Sequence, residues 1–240
     1  MTVFSATLNI LQQPTLWKNI EEELNNNGYS LIPQVLSHET CKLIIDQYTH
    51  EQHFRSTINM QRYRFGRGEY KYFKYPLPPV IQSLRETFYP QLAAIANRWM
   101  EQLETVVKYP TTHLEFLERC HAHGQIRPTP LLLQYNQGDF NTLHQDLYGE
   151  IYFPFQIVIV LTQPGVDYHG GELVLTAQTP RAQSKAIVIQ PNCGDAIIFT
   201  TNFRPVQGSR GYYKSKMKHG VSEIRKGIRY SLGIIFHDAL

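Results

Sequence analysis

Eight strand-like segments crowd the second half of this chain, near residues 130–136, 141–147, 153–162, 170–175, 184–190, 194–200, 215–221 and 227–236. Gly, Pro and Asn separate them. Parallel neighbours would need helix-sized crossovers, and the intervals here are too short for them. The pattern predicts a two-sheet sandwich or jelly roll.

The first half reads differently. Residues 1–125 look mostly helical, with apolar residues at helical spacing over Trp17–Leu24 and Glu39–Tyr48. Gly28–Pro33 between them reads as a short extended segment, and Ser37 suits the start of the second helix. Val80–Thr87 and Tyr89–Val107 predict helix interrupted near Pro90. Residues 54–78, rich in Arg, Gly and Tyr, read as an irregular loop or short hairpin. The expected class is α+β, mainly β. One domain spans 1–240, with a helical region over 1–125 and a β core over 126–240. A chain of 240 residues buries enough surface to fold without a disulfide or metal staple.

The net charge is only +3, but it is unevenly spread. Residues 51–75 carry net +4 and residues 204–226 net +6, leaving −7 for the remainder. Two basic stretches on a mildly acidic body are a local electrostatic signal. Three cysteines without a CxxC pair suggest a reducing compartment. The first 17 residues lack Lys and Arg, and no apolar run approaches membrane-spanning length. The expectation is a cytoplasmic protein with no membrane partner.

The chemistry gathers on a few residues. His144 and Asp146 sit two apart on a predicted strand, which puts both on one face with Gln145 turned away. His219 follows 73 residues after Asp146, and Arg229 ten residues after that, with Ser231 sharing the face of Arg229. Two imidazoles and one carboxylate that leave positions open suit non-haem Fe(II) activating O2. A fixed guanidinium beside a hydroxyl suits the distal carboxylate of 2-oxoglutarate. A hairpin would bring His219 and Arg229 to about 5 Å, too close for a five-carbon diacid. Facing each other across sheets about 10 Å apart, they leave room for one.

Other motifs are weaker. Cys120, His121 and His123 match no closed zinc spacing and read as surface or packing residues. Phe65–Gly68 lacks the Lys-Ser of a phosphate loop. His237 and Asp238 lie beyond the last predicted strand and read as an end feature.

Tyr135-x-x-Gly138, Leu143–Asp146 and Arg229-Tyr230-x-Leu232 together resemble the AlkB branch of Fe(II)/2-oxoglutarate dioxygenases. More closely, the chain is similar to a family of AlkB-like oxygenases predicted to act on damaged nucleic acids, with similar phrases over roughly residues 54–238. The resemblance implies a double-stranded β-helix (jelly roll) holding Fe(II) through His144, Asp146 and His219. It implies that Arg229 and Ser231, helped by Tyr135, hold the 2-oxoglutarate C5 carboxylate. It also implies O2-dependent decarboxylation to succinate and CO2, with hydroxylation or oxidative demethylation of a substrate. Two features depart from AlkB: the spacing from His219 to Arg229 is nearer that of prolyl hydroxylases, and Ile235 stands where AlkB carries a second arginine.

The substrate is read from outside the β core. Residues 62–75 interleave cations with aromatic rings, among them Arg62, Arg64, Tyr70 and Tyr72. Cations for phosphates and rings for stacking suit nucleic acid. The same stretch also fits a Tyr-rich loop packed on the sandwich with its charges solvated. Arg210 and Lys214 in the second basic stretch suit a phosphate, or raise the field for an anionic cosubstrate. The alternatives to DNA or RNA are a protein or small-molecule hydroxylase of the same cofactor class and a non-catalytic jelly-roll binding module.

Overall fold

The computed structural model describes residue 11, residues 13–178 and residues 181–240. Helix α1 (Pro14–Asn27) begins on a proline and ends at Gly28, whose φ of 80° turns the chain into β1 (Tyr29–Ile32). Helix α2 (His38–Asp46) starts where the Ser37 hydroxyl accepts a hydrogen bond from the Thr40 N–H at 3.1 Å. Strands β2 (Phe54–Asn59), β3 (Gly66–Arg67) and β4 (Glu69–Phe73) come next, then α3 (Pro79–Gln102) and α4 (His113–Ala122). The β half follows: β5 (Leu131–Tyr135), β6 (Phe140–His144), β7 (Phe155–Val160), β8 (Tyr168–Gly170), β9 (Leu173–Gln178) and β10 (Lys185–Ile189). It ends with β11 (Ala196–Thr200), β12 (Phe203–Gly208), β13 (Gly211–Val221), β14 (Ile224–Gly227) and β15 (Arg229–Ile235).

Two antiparallel sheets face each other, which makes the fold mainly β with a jelly-roll core. A seven-stranded sheet runs β1-β11-β7-β15-β5-β4-β2, and a six-stranded one runs β10-β9-β13-β6-β3 with β12 paired to β13. A small β14–β8 ribbon closes one end.

Alternation along β15 positions everything that follows. Leu232 and Ile234 pack under the helical layer with Leu84, Phe88, Leu92 and Trp99 of α3. Arg229, Ser231, Gly233 and Ile235 face the space between the sheets. The seven-stranded sheet is thus buried on both faces, which explains its nearly continuous apolar strands. Val160, Leu173, Leu175, Ile197, Phe199 and Met217 fill the space between the sheets beside the cavity. Among the described residues no helix is long and apolar enough to cross a membrane.

Three expectations are corrected. Helix α3 runs unbroken through Pro90, because Phe88, Tyr89, Leu92 and Ala93 on either side are buried and hold the turn together. Of the two readings of 54–78 the hairpin holds, with β2 paired to β4; because β4 also pairs with β5, this hairpin extends the large sheet by two strands. The helical half therefore also supplies strands to the sandwich. Strand β12 has no counterpart among the predicted eight, because Pro205 breaks the strand pattern; it is tolerated there because β12 pairs only with β13.

Candidate metal centre and anion cradle

His144 and His219 are direct cross-strand partners on β6 and β13, with ring centroids 4.1 Å apart. Asp146 reaches them from a different kind of backbone than the sequence suggests. Strand β6 ends at His144, so Asp146 lies just past it and owes its place to the turn rather than to strand alternation. Gln145 points away and pins that turn, its Nε2 donating to the carbonyls of Asn202 (2.7 Å) and Met217 (2.8 Å). Asp146 Oδ2 then lies 3.2 Å from His219 Nε2, and Oδ1 lies 3.5 Å from His144 Nε2.

One ligand atom from each residue lies within 4.8 Å of the others. Among the described residues this is the one His/Cys/Asp/Glu cluster so arranged. Cys120, His121 and His123 form no such group; Cys120 is buried, and His121 pairs with Asp238 at 2.9 Å. His144 Nδ1 sits 2.7 Å from the Thr142 carbonyl, which makes Nδ1 the donor and leaves Nε2 with a free lone pair.

The electrostatics suit a cation. Burial alone would raise the Asp146 carboxyl, but the two imidazoles hold it well below the usual carboxylate range. Burial and the neighbouring His144 push His219 down. For His144, burial works downward, and the hydrogen bond and charge of Asp146 outweigh it, so its value rises. Tyr148 adds a further contact, its hydroxyl donating to Asp146 Oδ1 at 2.6 Å.

Across the cavity stands Arg229, fully buried on β15 opposite Tyr135 of β5. Its Nη1 donates to Ser231 Oγ at 3.0 Å, while Nε and Nη2 have no partner among the described residues. Its Cζ lies 5.6 Å from the Tyr135 ring and 6.0 Å from the Tyr168 ring, and the buried Tyr168 hydroxyl is likewise unpartnered. No carboxylate of the described residues pairs with this guanidinium. A buried, unpaired cation costs several kcal/mol in general, so the arrangement is suited to an incoming anion.

The cavity between the two groups has a volume of about 160 Å³. His144, Asp146, His219, Arg229, Ser231 and Tyr135 all line it, so the structure brings together the whole set of cofactor residues expected from sequence. Tyr70 also lines it. Tyr72 is buried behind Tyr70, its ring 5.3 Å away and capped by Arg55 at 4.3 Å. Arg62 and Arg64 are exposed beside Phe65, which lines the cavity. Arg210 stands at the tip of the β12–β13 hairpin, about 30 Å from His219 along the strand and outside the cavity.

Sequence reasoning missed Tyr148, Tyr168, Gln156 and Asn141. Tyr148 was visible as the second residue after Asp146, but nothing local shows which way its hydroxyl points. His237 and Asp238 are not an end feature: both are fully buried, and Asp238 pairs with Arg85 at 3.0 Å.

A jelly roll with two histidines and an aspartate facing a buried arginine defines an oxygenase-type β-sandwich. The family described as "Oxygenase, catalysing oxidative methylation of damaged DNA" matches residues 68–239, and the chain belongs to that family and is an oxygenase. It is 48% identical over 167 residues to "Uncharacterized protein MT2286" and "Uncharacterized protein Rv2227", from two strains of Mycobacterium tuberculosis; the match covers 70% of this chain and 72% of each relative.

Solved structures share the fold at low identity. A Pseudomonas putida prolyl-4-hydroxylase superposes with a TM-score of 0.52 at 14% identity, covering 93% of this chain and 100% of that one. A Trichoplax adhaerens prolyl hydroxylase, in complex with a hypoxia inducible factor peptide fragment, gives 0.55 at 14%, covering 99% and 94%. A 2OG-Fe(II) oxygenase family oxidoreductase of Burkholderia pseudomallei gives 0.51 at 14%, covering 93% and 92%.

Proposed function

We propose that this oxygenase is Fe(II)- and 2-oxoglutarate-dependent and that it oxidises alkylated DNA or RNA. The observation that carries the cofactor reading is Arg229: a fully buried guanidinium with two unpartnered N–H donors, aimed into the cavity that also holds the His144–Asp146–His219 cluster. The donor set fits ferrous iron, because two imidazoles and one carboxylate leave positions open. The cradle fits the cosubstrate, because a guanidinium fork matches a carboxylate.

When bound, iron and the keto acid supply the oxidant for a substrate C–H bond. The chain's own residues do the rest. His144 and His219 present Nε2 to the metal, and Asp146 presents a carboxylate oxygen. Arg229 binds the C5 carboxylate with Ser231 beside it, and the Tyr135 ring closes over the guanidinium. Leu131, Leu133, Val158 and Leu173 make the remaining wall apolar and exclude water.

The substrate reading rests on the family match and on the exposed rim. The Tyr63 and Phe65 rings stack 5.7 Å apart between the exposed Arg62, Arg64 and Arg67. Stacking rings among cations suit an unpaired or flipped base, with Tyr70 further in. A second reading, hydroxylation of a protein or small molecule, is favoured by the ten-residue step from His219 to Arg229. The complete metal cluster disfavours a non-catalytic binding module. Three free cysteines suit a reducing compartment, which we take to be the cytoplasm.

The test is anaerobic addition of Fe(II) and 2-oxoglutarate, followed by admission of O2 and measurement of succinate release with methylated oligonucleotides. A charge-transfer band and oligonucleotide-stimulated succinate are expected. No band would remove the cofactor reading. A band without stimulation would remove the nucleic-acid reading, and a peptide product heavier by one oxygen would support the second.

A further inference from the structure

Residues 173–189 and 203–221 together hold seven basic side chains and no acidic one, and the rest of the chain is net −4. The fold makes these two segments neighbours: β9 and β13 pair from Gln178↔Lys216 to Leu173↔Val221 at the centre of the six-stranded sheet. Along β13 the burial alternates. Ser215, Met217 and His219 are buried toward the opposite sheet, while Lys214, Lys216 and Lys218 are exposed on the outer face.

Helices cover the outer face of the seven-stranded sheet and reach the six-stranded sheet at β12, where Phe203 joins the core beside Trp99 and Met100; the outer face along β9 and β10 stays open, with Gln178 and Val188 also exposed on it. None of the three lysines forms an ion pair with a described residue; Lys214 lies over the Phe203 ring at 4.7 Å, in a shallow depression that Glu150 shares without pairing. A row of like charges that the protein leaves unneutralised is a field directed outward.

We propose that this outer face is a docking surface for a nucleic-acid phosphodiester backbone, holding the flank of a strand whose modified residue enters the cavity. The row begins at Lys218, the residue before cavity-lining His219, and reaches Lys214 about 13 Å away along the strand. Arg210 continues it at the hairpin tip. On β9 the cross-strand neighbours of Lys216 and Lys218 are Gln178 and Thr176; on β12 that of Lys216 is Phe203, which is buried under Lys214, so no exposed aromatic or leucine stands between the three lysines as the anchor that a lipid surface uses. The large exposed apolar groups of this face, Val188 on β10 and Tyr212 toward the hairpin tip, lie at the margins of the row, so the row has no apolar centre of the kind a protein interface uses. A polyanionic backbone needs only spaced cations, and it releases counterions when they bind. This surface rests on the nucleic-acid reading above but is separable from it by experiment.

The test is fluorescence anisotropy of a labelled, lesion-free single-stranded DNA oligonucleotide over a salt series, comparing the native chain with Lys214→Gln/Lys216→Gln/Lys218→Gln and with Arg62→Gln/Arg64→Gln. The triple lysine variant is expected to bind at least about tenfold more weakly at low salt, with its log–log salt slope reduced by about 2, the amount three single-strand phosphate contacts carry. Its melting temperature and its succinate formation without added substrate should match the native chain. Should the triple variant melt early, Lys216→Gln alone decides, with an expected slope change of about 0.7.

Unchanged affinity and slope in the lysine variants would overturn the proposal. So would equal binding of the native chain to phosphatidylserine vesicles or to polyglutamate, since the face would then serve a membrane or an acidic protein. If methylated oligonucleotides fail to stimulate turnover while the lysine variant still loses oligonucleotide binding, the surface stands and the substrate reading falls.

Discussion

Tyr148 donates its hydroxyl to Asp146 Oδ1 at 2.6 Å, and so orients a carboxylate that no strand ladder holds. Burial pushes the Tyr148 phenol well above its ordinary value, so it remains a donor. With Oδ1 engaged, Oδ2 is the oxygen turned toward His219, at 3.2 Å. Tyr148→Phe is expected to weaken Fe(II) binding about 10–100-fold, the usual effect of losing a hydrogen bond behind a metal ligand, with little change in melting. Anaerobic Fe(II) titration, followed by the charge-transfer band, measures it; unchanged affinity and band would mean that the backbone alone orients Asp146.

His144 is partly exposed at a strand end, and the fold does not lean on it. His144→Ala should abolish succinate release and leave the thermal melt within a few degrees of the native protein, because a domain of this size carries its own core. Residual coupled turnover would remove His144 from the metal set, and a large loss of melting temperature would show that the cluster is structural.

Arg229 is buried without a counter-charge, which predicts opposite effects on stability and binding. Arg229→Met should raise the apo melting temperature, since replacing a buried charge by an apolar side chain of similar size can stabilise by about 1–4 kcal/mol. The same change should abolish the thermal upshift that 2-oxoglutarate produces in the native chain. Differential scanning fluorimetry with and without 2-oxoglutarate reads both. An upshift that persists in the variant would assign the carboxylate to another partner.

Two histidines outside the metal cluster predict acid sensitivity. Burial, reinforced by the nearby Arg85 charge, lowers His113 from 6.5 to about 3, and burial lowers His237 from 6.5 to about 4. The unfolded chain therefore takes up these protons first as pH falls. Their contribution to stability is complete above pH 6.5 and is lost on acidification toward the folded values, at up to about 1.4 kcal/mol per group for each pH unit. His113→Gln keeps a donor for the Phe236 carbonyl, which His113 Nε2 meets at 2.9 Å. Denaturant melts at pH 7 and pH 5 should show a smaller loss in this variant than in the native chain; equal losses would mean that His113 protonates in the folded state.

Much of the site was legible in the sequence because its chemistry demands particular side chains at short, countable spacings. The His144/Asp146 pair, the later His219 and the alternation of Arg229 with Ser231 could be found without coordinates, and the run of short strands pointed to a sandwich that places His219 and Arg229 on opposite sheets. Only the tertiary structure decided that Asp146 lies past the strand, that β2 and β4 join the large sheet, that Pro90 stays inside a helix and that Arg229 keeps two donors free between Tyr135 and Tyr168. The reason is physical. Local spacing sets which face a side chain takes on its own element, but which faces meet, and which polar atoms find no partner, depends on burying elements far apart in the chain against one another.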